Sequence, residues 1–200
     1  MAGPSPAVTA MTMERDSAHH HLFDTALGVC GVAWTTRGLA GVQLPEKDRA
    51  ATERRLAAKS GSAGPAAPPP WVEALLADIR KYLAGEKVDF SAIALDLGSV
   101  DDFRRRLYEA LRGISFGRTT TYGELARALG ATGWEGARDV GEAMGRNPVP
   151  IVIPCHRVLA AGNKLGGFSA HGGARTKQKL LALEGVRLDG GDSPPRLPGL

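Results

Sequence analysis

The run Pro150-Ile151-Val152-Ile153-Pro154-Cys155-His156-Arg157-Val158 constrains this chain more than any other stretch. Pro148, Pro150 and Pro154 offer no backbone donor and hold the residues before them extended, so the spacing predicts a short, stiff strand and excludes a helix. That strand ends on a thiol, an imidazole and a guanidinium. A free cysteine is a small hydrophobe and is often simply buried. Beside a base it becomes a nucleophile, because the thiolate is the reactive form and an imidazole commonly takes its proton. Neighbours on an extended segment point to opposite faces. Cys155 and His156 are therefore expected to communicate through a water rather than touch, unless the chain turns there.

Composition sets limits around that feature. Two hundred residues, 43% hydrophobic and 23% charged, are ordinary for a soluble protein with one large core or two small ones. A net charge of +4 permits an anionic partner such as nucleic acid without demanding one. Cys30 and Cys155 are too few for a disulfide framework or a thiolate zinc site and fit a reducing cytosol. No apolar run approaches the ~20 residues of a membrane span. Met1 to Ala18 lacks the apolar centre of a secretory signal, so no membrane association is expected.

Those first residues mix Gly, Pro, Ser and Thr without periodicity and read as a disordered leader. His19, His20 and His21 follow; adjacency disperses their rings and no carboxylate or thiol pattern accompanies them, so a solvated run is expected rather than a metal site. Leu22 to Leu27, Val29 to Thr35 and Leu39 to Leu44 are β-prone pieces separated by turns at Gly28 and Thr36-Arg37-Gly38, which predicts an antiparallel meander with Cys30 packed in it. Glu46 to Lys59 carries an Ala-rich amphipathic helix and Ser60 to Pro70 a linker. Trp71 to Leu83 carries a second helix with a stripe of Val72, Leu75, Leu76, Ile79 and Leu83. Val88 to Leu97 alternates as a strand would. The organisation expected is a leader over 1–18, an N-terminal α/β module over 19–97, a C-terminal domain over 98–186 and a disordered tail over 187–200.

The second half reads as mostly helical. Phe103, Leu107, Ala110 and Leu111 form a stripe, with Asp101 and Asp102 at the helix start, where the macrodipole favours them. Arg104, Arg105 and Arg106 form a solvated face or contact phosphate. Thr121-Tyr122-Gly123-Glu124 has capping-box spacing and predicts a helix over Tyr122 to Leu129. Ala137, Val140, Gly141 and Met144 predict another from about Glu135 to Gly145, stopped before Asn147-Pro148. Two short helices across a Gly-containing turn outline a helix-turn-helix, although such pairs also occur in ordinary cores. Gly136, Gly141 and Gly145 lower helix propensity and suit close approach of a backbone or a nucleic acid strand. Arg138 lies off the apolar face, while Glu135, Asp139 and Glu142 on that outer side would repel phosphates. Ala160 to Gly173 is a Gly-rich loop of the kind that walls a binding site. The last helix, Ala174 to Glu184, stops at Gly185. Its C-terminal end disfavours an anion, so Glu184 is either solvated or compensated by a donor such as His156.

Pro154-Cys155-His156-Arg157-Val158 is preceded by Tyr122-Gly123-Glu124-Leu125-Ala126, Ala137-Arg138, Val140-Gly141 and Asn147-Pro148, and followed by Leu180-Leu181-Ala182-Leu183-Glu184-Gly185. This ordered set, covering Phe103 to Gly185, resembles the signature of the O6-alkylguanine-DNA alkyltransferases. The resemblance implies an α+β fold: an N-terminal ribonuclease-H-like module with a small antiparallel sheet, and a mostly helical, winged-helix-like C-terminal domain with a helix-turn-helix and the active-site cysteine. It implies DNA repair, by single-turnover transfer of an alkyl (methyl) group from O6-alkylguanine in double-stranded DNA, with O4-alkylthymine as a second candidate substrate, the base being rotated out of the duplex. Cys155 would be nucleophile and permanent acceptor, His156 its base through a water, Glu184 the support of the imidazole, and Asn147 the tie between the second helix and the active-site strand. Tyr122 would turn the nucleotide and bond toward the guanine, and Arg138 would fill the space the base leaves. Met144, the carbonyls of Cys155 and Val158, and Ser169 would contact the base. No cofactor or metal is required, and a cytoplasmic monomer, nucleoid-associated in a bacterium, is implied. The sequence departs from the family pattern at Asp139, where alanine is commoner, at Phe168, in place of tyrosine, and in a longer loop at Ser169 to Gly173. The alternatives are a non-transferring recogniser of alkylated bases, which usually lacks the cysteine, and a cysteine hydrolase, which would turn over repeatedly.

Overall fold

Three strands, β1 (His19–Thr25), β2 (Gly28–Thr35) and β3 (Gly38–Gln43), form the expected antiparallel meander in a computed structural model that describes residues 17–131 and 133–188. The leader and tail expectations therefore lie, but for their inner ends, outside the described residues. Helix α1 (Arg49–Ser60) starts on Asp48, whose side chain accepts from the Ala51 N–H at 2.7 Å. It lies on a sheet face kept shallow by small residues. A Cβ on Gly31 would come within 2.6 Å of the Leu22 and Leu56 side chains, and Ala33 packs beside them. The other face presents Phe23, Cys30, Val32 and Trp34 to α2 (Pro70–Leu83), whose Val72, Leu75, Leu76, Ile79 and Tyr82 join the same core. Period two in the strands and period 3.6 in the helix thus converge on one interior.

Three expectations for this half are corrected. His19–His21 is strand rather than a solvated run, and alternation turns the middle ring inward. His20 is buried, with Nδ1 2.8 Å from Ser62 Oγ and Nε2 3.2 Å from Glu53 Oε1. The Ser60 to Pro70 linker contains β4 (Gly64–Pro65), which pairs parallel with β1 and completes the order β3-β2-β1-β4. Val88 to Leu97 is not a strand: within it Leu95 bridges Leu39, through the Leu39 N–H to Ala94 O and the Asp96 N–H to Leu39 O, both 2.9 Å. The Asp96 carboxylate accepts locally from the Gly98 N–H and, across the fold, from Thr35 and Arg37, so a side chain rather than a ladder holds the segment against the end of β2.

In the second half α3 (Asp102–Arg112) is capped by Asp101, which accepts from the Arg104 N–H at 2.8 Å. Arg104, Arg105 and Arg106 pair back to Asp101 and Asp102 at 2.6 to 3.6 Å, so the arginine triplet is a largely solvated face whose charge two carboxylates offset in part. Strand β5 (Thr120–Thr121) pairs parallel with β6 (Val158–Leu159). Helix α4 (Tyr122–Ala128) carries both halves of the capping box. Helix α5 (Gly133–Gly145) begins two residues earlier than its apolar spacing suggested, and α6 (Ala174–Leu183) closes the described chain. One hydrophobic cluster runs from Phe23 through Ile79 and Tyr82 to Leu107, Val140, Cys155 and Leu180, so the mixed α+β fold has a core common to both halves. Both cysteines are free thiols. Among the described residues no helix is long and apolar enough to cross a membrane.

Candidate active site

The expected active-site strand is a turn, and Asn147 organises it. Its Nδ2 donates to Ile153 O at 2.8 Å and to Cys155 Sγ at 3.3 Å, while Oδ1 accepts from the Val149 N–H at 3.0 Å. Ile151 takes a φ of 75°, a left-handed conformation that a β-branched residue adopts at a cost of about 1–3 kcal/mol. Cys155–Arg157 then winds into one turn of 3-10 helix before Val158 enters β6. The physical reason lies in the prolines themselves. They remove three donors, which weakens any ladder along this segment, and the bonds it makes instead are local, Ile153 N–H to Val149 O at 2.9 Å and Cys155 N–H to Ile153 O at 2.8 Å, together with those of the Asn147 amide.

The turn delivers Cys155, 6% exposed, to a pocket of about 500 Å³ walled by Tyr122, Arg138, Met144, Phe168 and Ser169, within the size range of small-molecule sites. Gly141 stands against the Tyr122 ring, where a Cβ would already sit 3.6 Å from it. The Tyr122 hydroxyl donates to Gly167 O at 3.3 Å. Val158 is not among the pocket residues; its side chain is buried and its carbonyl accepts from Lys177 Nζ. Lys177, missed in the sequence, is a buried ammonium that also donates to Gly167 O at 3.4 Å and lies 5.6 Å from the Tyr122 ring centre. Burial pulls it down to about 8 from its ordinary 10.5. Arg55 on α1 ties the loop by donating to Ser169 O at 3.2 Å.

Beside the pocket, His156 is wholly buried, with Nε2 2.8 Å from Glu184 Oε1 and 3.0 Å from the Tyr82 hydroxyl. Glu184 is therefore compensated rather than solvated. It accepts from Arg157 at 2.9 to 3.1 Å, from the Gly117 N–H at 2.9 Å and from Tyr82 at 2.7 Å. Burial alone would raise this carboxyl, but His156 and Arg157 outweigh it and hold it at about 2. A lone pair on Nε2 would face that carboxylate, so the ring proton belongs on Nε2 and the free lone pair on Nδ1. Nδ1 is buried with no hydrogen-bond partner among the described residues. Burial lowers His156 and, against the pull of the Asn147 amide and the Lys177 ammonium, raises Cys155. At rest the pair is a protonated thiol and a neutral imidazole able to act as its base.

Glu184 also links stability to pH. Its folded value lies below the ordinary 4.5, so its contribution is complete above that value and is lost as pH falls toward 2. The shift corresponds to roughly 3 kcal/mol. Denaturant unfolding at pH 5 and pH 3 is expected to show a loss of about 2 kcal/mol, the part of that contribution titrated over this interval, and Glu184→Gln is expected to show a flatter slope; equal slopes would remove Glu184 as its source.

Architecture and site together define a class: an α+β protein that holds a buried cysteine thiol in a pocket beside a helical pair. A family profile described as "6-O-methylguanine DNA methyltransferase, DNA binding domain" matches residues 102–186. The methylated-DNA–protein-cysteine methyltransferase of Methanothermobacter thermautotrophicus is 40% identical over 123 residues, 62% of this chain and 66% of that protein. The one of Mycolicibacterium paratuberculosis is 50% identical over 103 residues, 52% of this chain and 59% of that protein. These alignments span 59–66% of the curated relatives' length. The crystal structure of Mycobacterium tuberculosis OGT in complex with DNA superposes with a TM-score of 0.66 at 34% identity, covering 83% of this chain and 92% of that one. The chain belongs to the O6-methylguanine-DNA methyltransferase family.

Proposed function

We propose that the protein repairs DNA by moving a methyl or larger alkyl group from O6 of guanine in double-stranded DNA onto Cys155, once per molecule. The observation that carries this reading is the place of Cys155 in a pocket bounded by Tyr122, Arg138, Met144 and Ser169, at the edge of α5. In this reading α5, the second helix of a helix-turn-helix, lies in a groove of the duplex, and the damaged nucleotide rotates into the pocket. Tyr122 helps turn it. The thiol proton passes through a water to Nδ1 of His156, and Glu184 supports the imidazolium. Sulfur attacks the alkyl carbon as the carbon–O6 bond breaks, its electron pair staying on guanine. The proton given up by the thiol ends on the base, which returns to its keto form. A thioether has no leaving group under these conditions, so the transfer is final.

The finer architecture is part of the same reading. Strand order β3-β2-β1-β4, with β4 parallel to β1, supports a ribonuclease-H-like module over 19–97. The β5/β6 pair beside α4 and α5 supports a winged-helix-like domain over 98–186.

Incubation with an equimolar duplex oligonucleotide bearing one O6-methylguanine, followed by intact mass measurement and peptide mapping, tests the proposal. One methyl per molecule on the peptide containing Cys155 is the expected result; no gain in mass overturns it. Arg138, exposed on α5 at the pocket, gives a second check. If it fills the space left by the base, Arg138→Ala loses part of the few kcal/mol that extrusion requires and slows transfer from duplex by roughly 10- to 100-fold. Transfer from free O6-benzylguanine stays within about twofold of the parent, since no base is extruded. Equal slowing of both substrates would take Arg138 out of that role.

A further inference from the structure

We propose that Tyr82 is a positioning residue of the thiol relay: its hydroxyl, bonded at once to Glu184 and to Nε2 of His156, shares the carboxylate with the imidazole and so sets how basic that imidazole is. The inference rests on the alkyl-transfer reading above. Tyr82 lies on α2, in the half of the chain that precedes the helical pair, and is fully buried. Phe90 and Phe116 meet its ring edge-on at 5.8 and 6.1 Å between centres. Its oxygen is 2.7 Å from Glu184 Oε1 and 3.0 Å from His156 Nε2.

A phenol has one proton, and only one assignment suits this geometry. Donation to Nε2 requires a bare nitrogen, whose lone pair would then face Glu184 Oε1 at 2.8 Å with no proton between two acceptors. The hydroxyl therefore donates to Glu184, and its oxygen is a secondary acceptor for Nε2–H. Burial raises the phenol well above its ordinary value, so this proton stays in place. Oε1 thus receives Tyr82, His156 and Arg157 together. Each added donor spreads the negative charge and weakens the pull of Glu184 on an imidazolium. The other charged or titratable groups acting on His156 are Arg157 in its own turn, Lys177 on α6 and the neighbouring thiol of Cys155. Both cations disfavour the protonated ring. Tyr82 acts in the same direction, keeping the resting ring neutral and ready to accept a proton.

Tyr82→Phe in the full-length chain removes one oxygen and keeps the ring. The acid limb of the single-turnover methyl-transfer rate is expected to move up by about 0.5–1 pH unit, because His156 then binds its proton more readily. On that limb the rate falls roughly 3- to 10-fold, which is the same shift expressed as neutral fraction. Affinity for duplex DNA stays within about twofold. Nitrogen-15 NMR of the His156 ring reads the shift without turnover. A purely structural tyrosine would lower Tm and leave the limb where it was. A profile that superimposes on that of the parent, or moves down, overturns the assignment while leaving alkyl transfer standing. If the parent itself takes up no methyl, the transfer reading fails, and the ring titration alone decides whether the hydroxyl tunes His156. Should Tyr82→Phe fail to fold, 3-fluorotyrosine at position 82, a stronger donor, is expected to move the limb down; an upward shift or none overturns the proposal.

Discussion

Glu184→Ala is expected to lower folding stability by about 3–5 kcal/mol, the usual consequence of removing one member of a buried ion pair. The carboxylate accepts bonds from His156, Arg157, Tyr82 and Gly117. Without it the Arg157 guanidinium, 6% exposed as a residue, keeps only Ile114 O as a partner among the described residues and leaves its charge in the interior. Chemical denaturation measures the loss, and a change below about 1 kcal/mol would mean that water enters to solvate Arg157. Activity suffers separately. The imidazole loses the group that fixes its tautomer and supports its charge, and removal of general-base assistance is expected to slow alkyl transfer by about 10²–10⁴-fold. Glu184→Gln separates the two effects, since it keeps shape and some hydrogen bonding while deleting the charge. It should recover part of the stability and little of the rate.

Cys155→Ser is expected to abolish alkyl uptake, by on the order of 10⁴–10⁶-fold if any residual rate can be measured. A neutral imidazole can take a proton from a thiol, but a hydroxyl holds its proton far more tightly and is the poorer nucleophile toward an alkyl carbon. The exchange is otherwise mild. Asn147 Nδ2 still finds an oxygen to donate to, and the pocket keeps its walls. Stability should therefore change by less than about 1.5 kcal/mol, and binding to a duplex containing O6-methylguanine should persist. Intact mass and a gel-shift assay on the same preparation read both consequences. Methyl gain that survives this substitution would move the acceptor to another residue.

The elements legible in the sequence were those specified over a few neighbouring residues. The strands separated by Gly28 and Gly38, the Thr121/Glu124 capping box and the stop of α5 before Asn147-Pro148 rest on local geometry, and they appear where that geometry places them. His20 and Val88 to Leu97 misled for a common reason. Which face of a strand is buried, and whether an alternating segment finds a ladder, depend on what packs opposite, and local pattern does not carry that information. The turn at Cys155 misled differently, because three prolines are equally compatible with an extended strand and with a loop whose bonds come from a side chain.

The order of residues alone marked Cys155 and His156 as a candidate nucleophile and base with a water expected between them, and, through the family resemblance, named Tyr122, Arg138, Met144 and Ser169, which the structure sets around one pocket. Only the tertiary structure decided that Glu184 is buried, that its partners include Arg157 and Tyr82, and that Lys177 reaches the wall behind Tyr122. Tyr82 and Glu184 stand 102 residues apart in the chain and 2.7 Å apart in space. A buried phenol announces that it needs an acceptor; which acceptor it finds is settled by how α2 packs against the end of α6, and by nothing in the residues beside it.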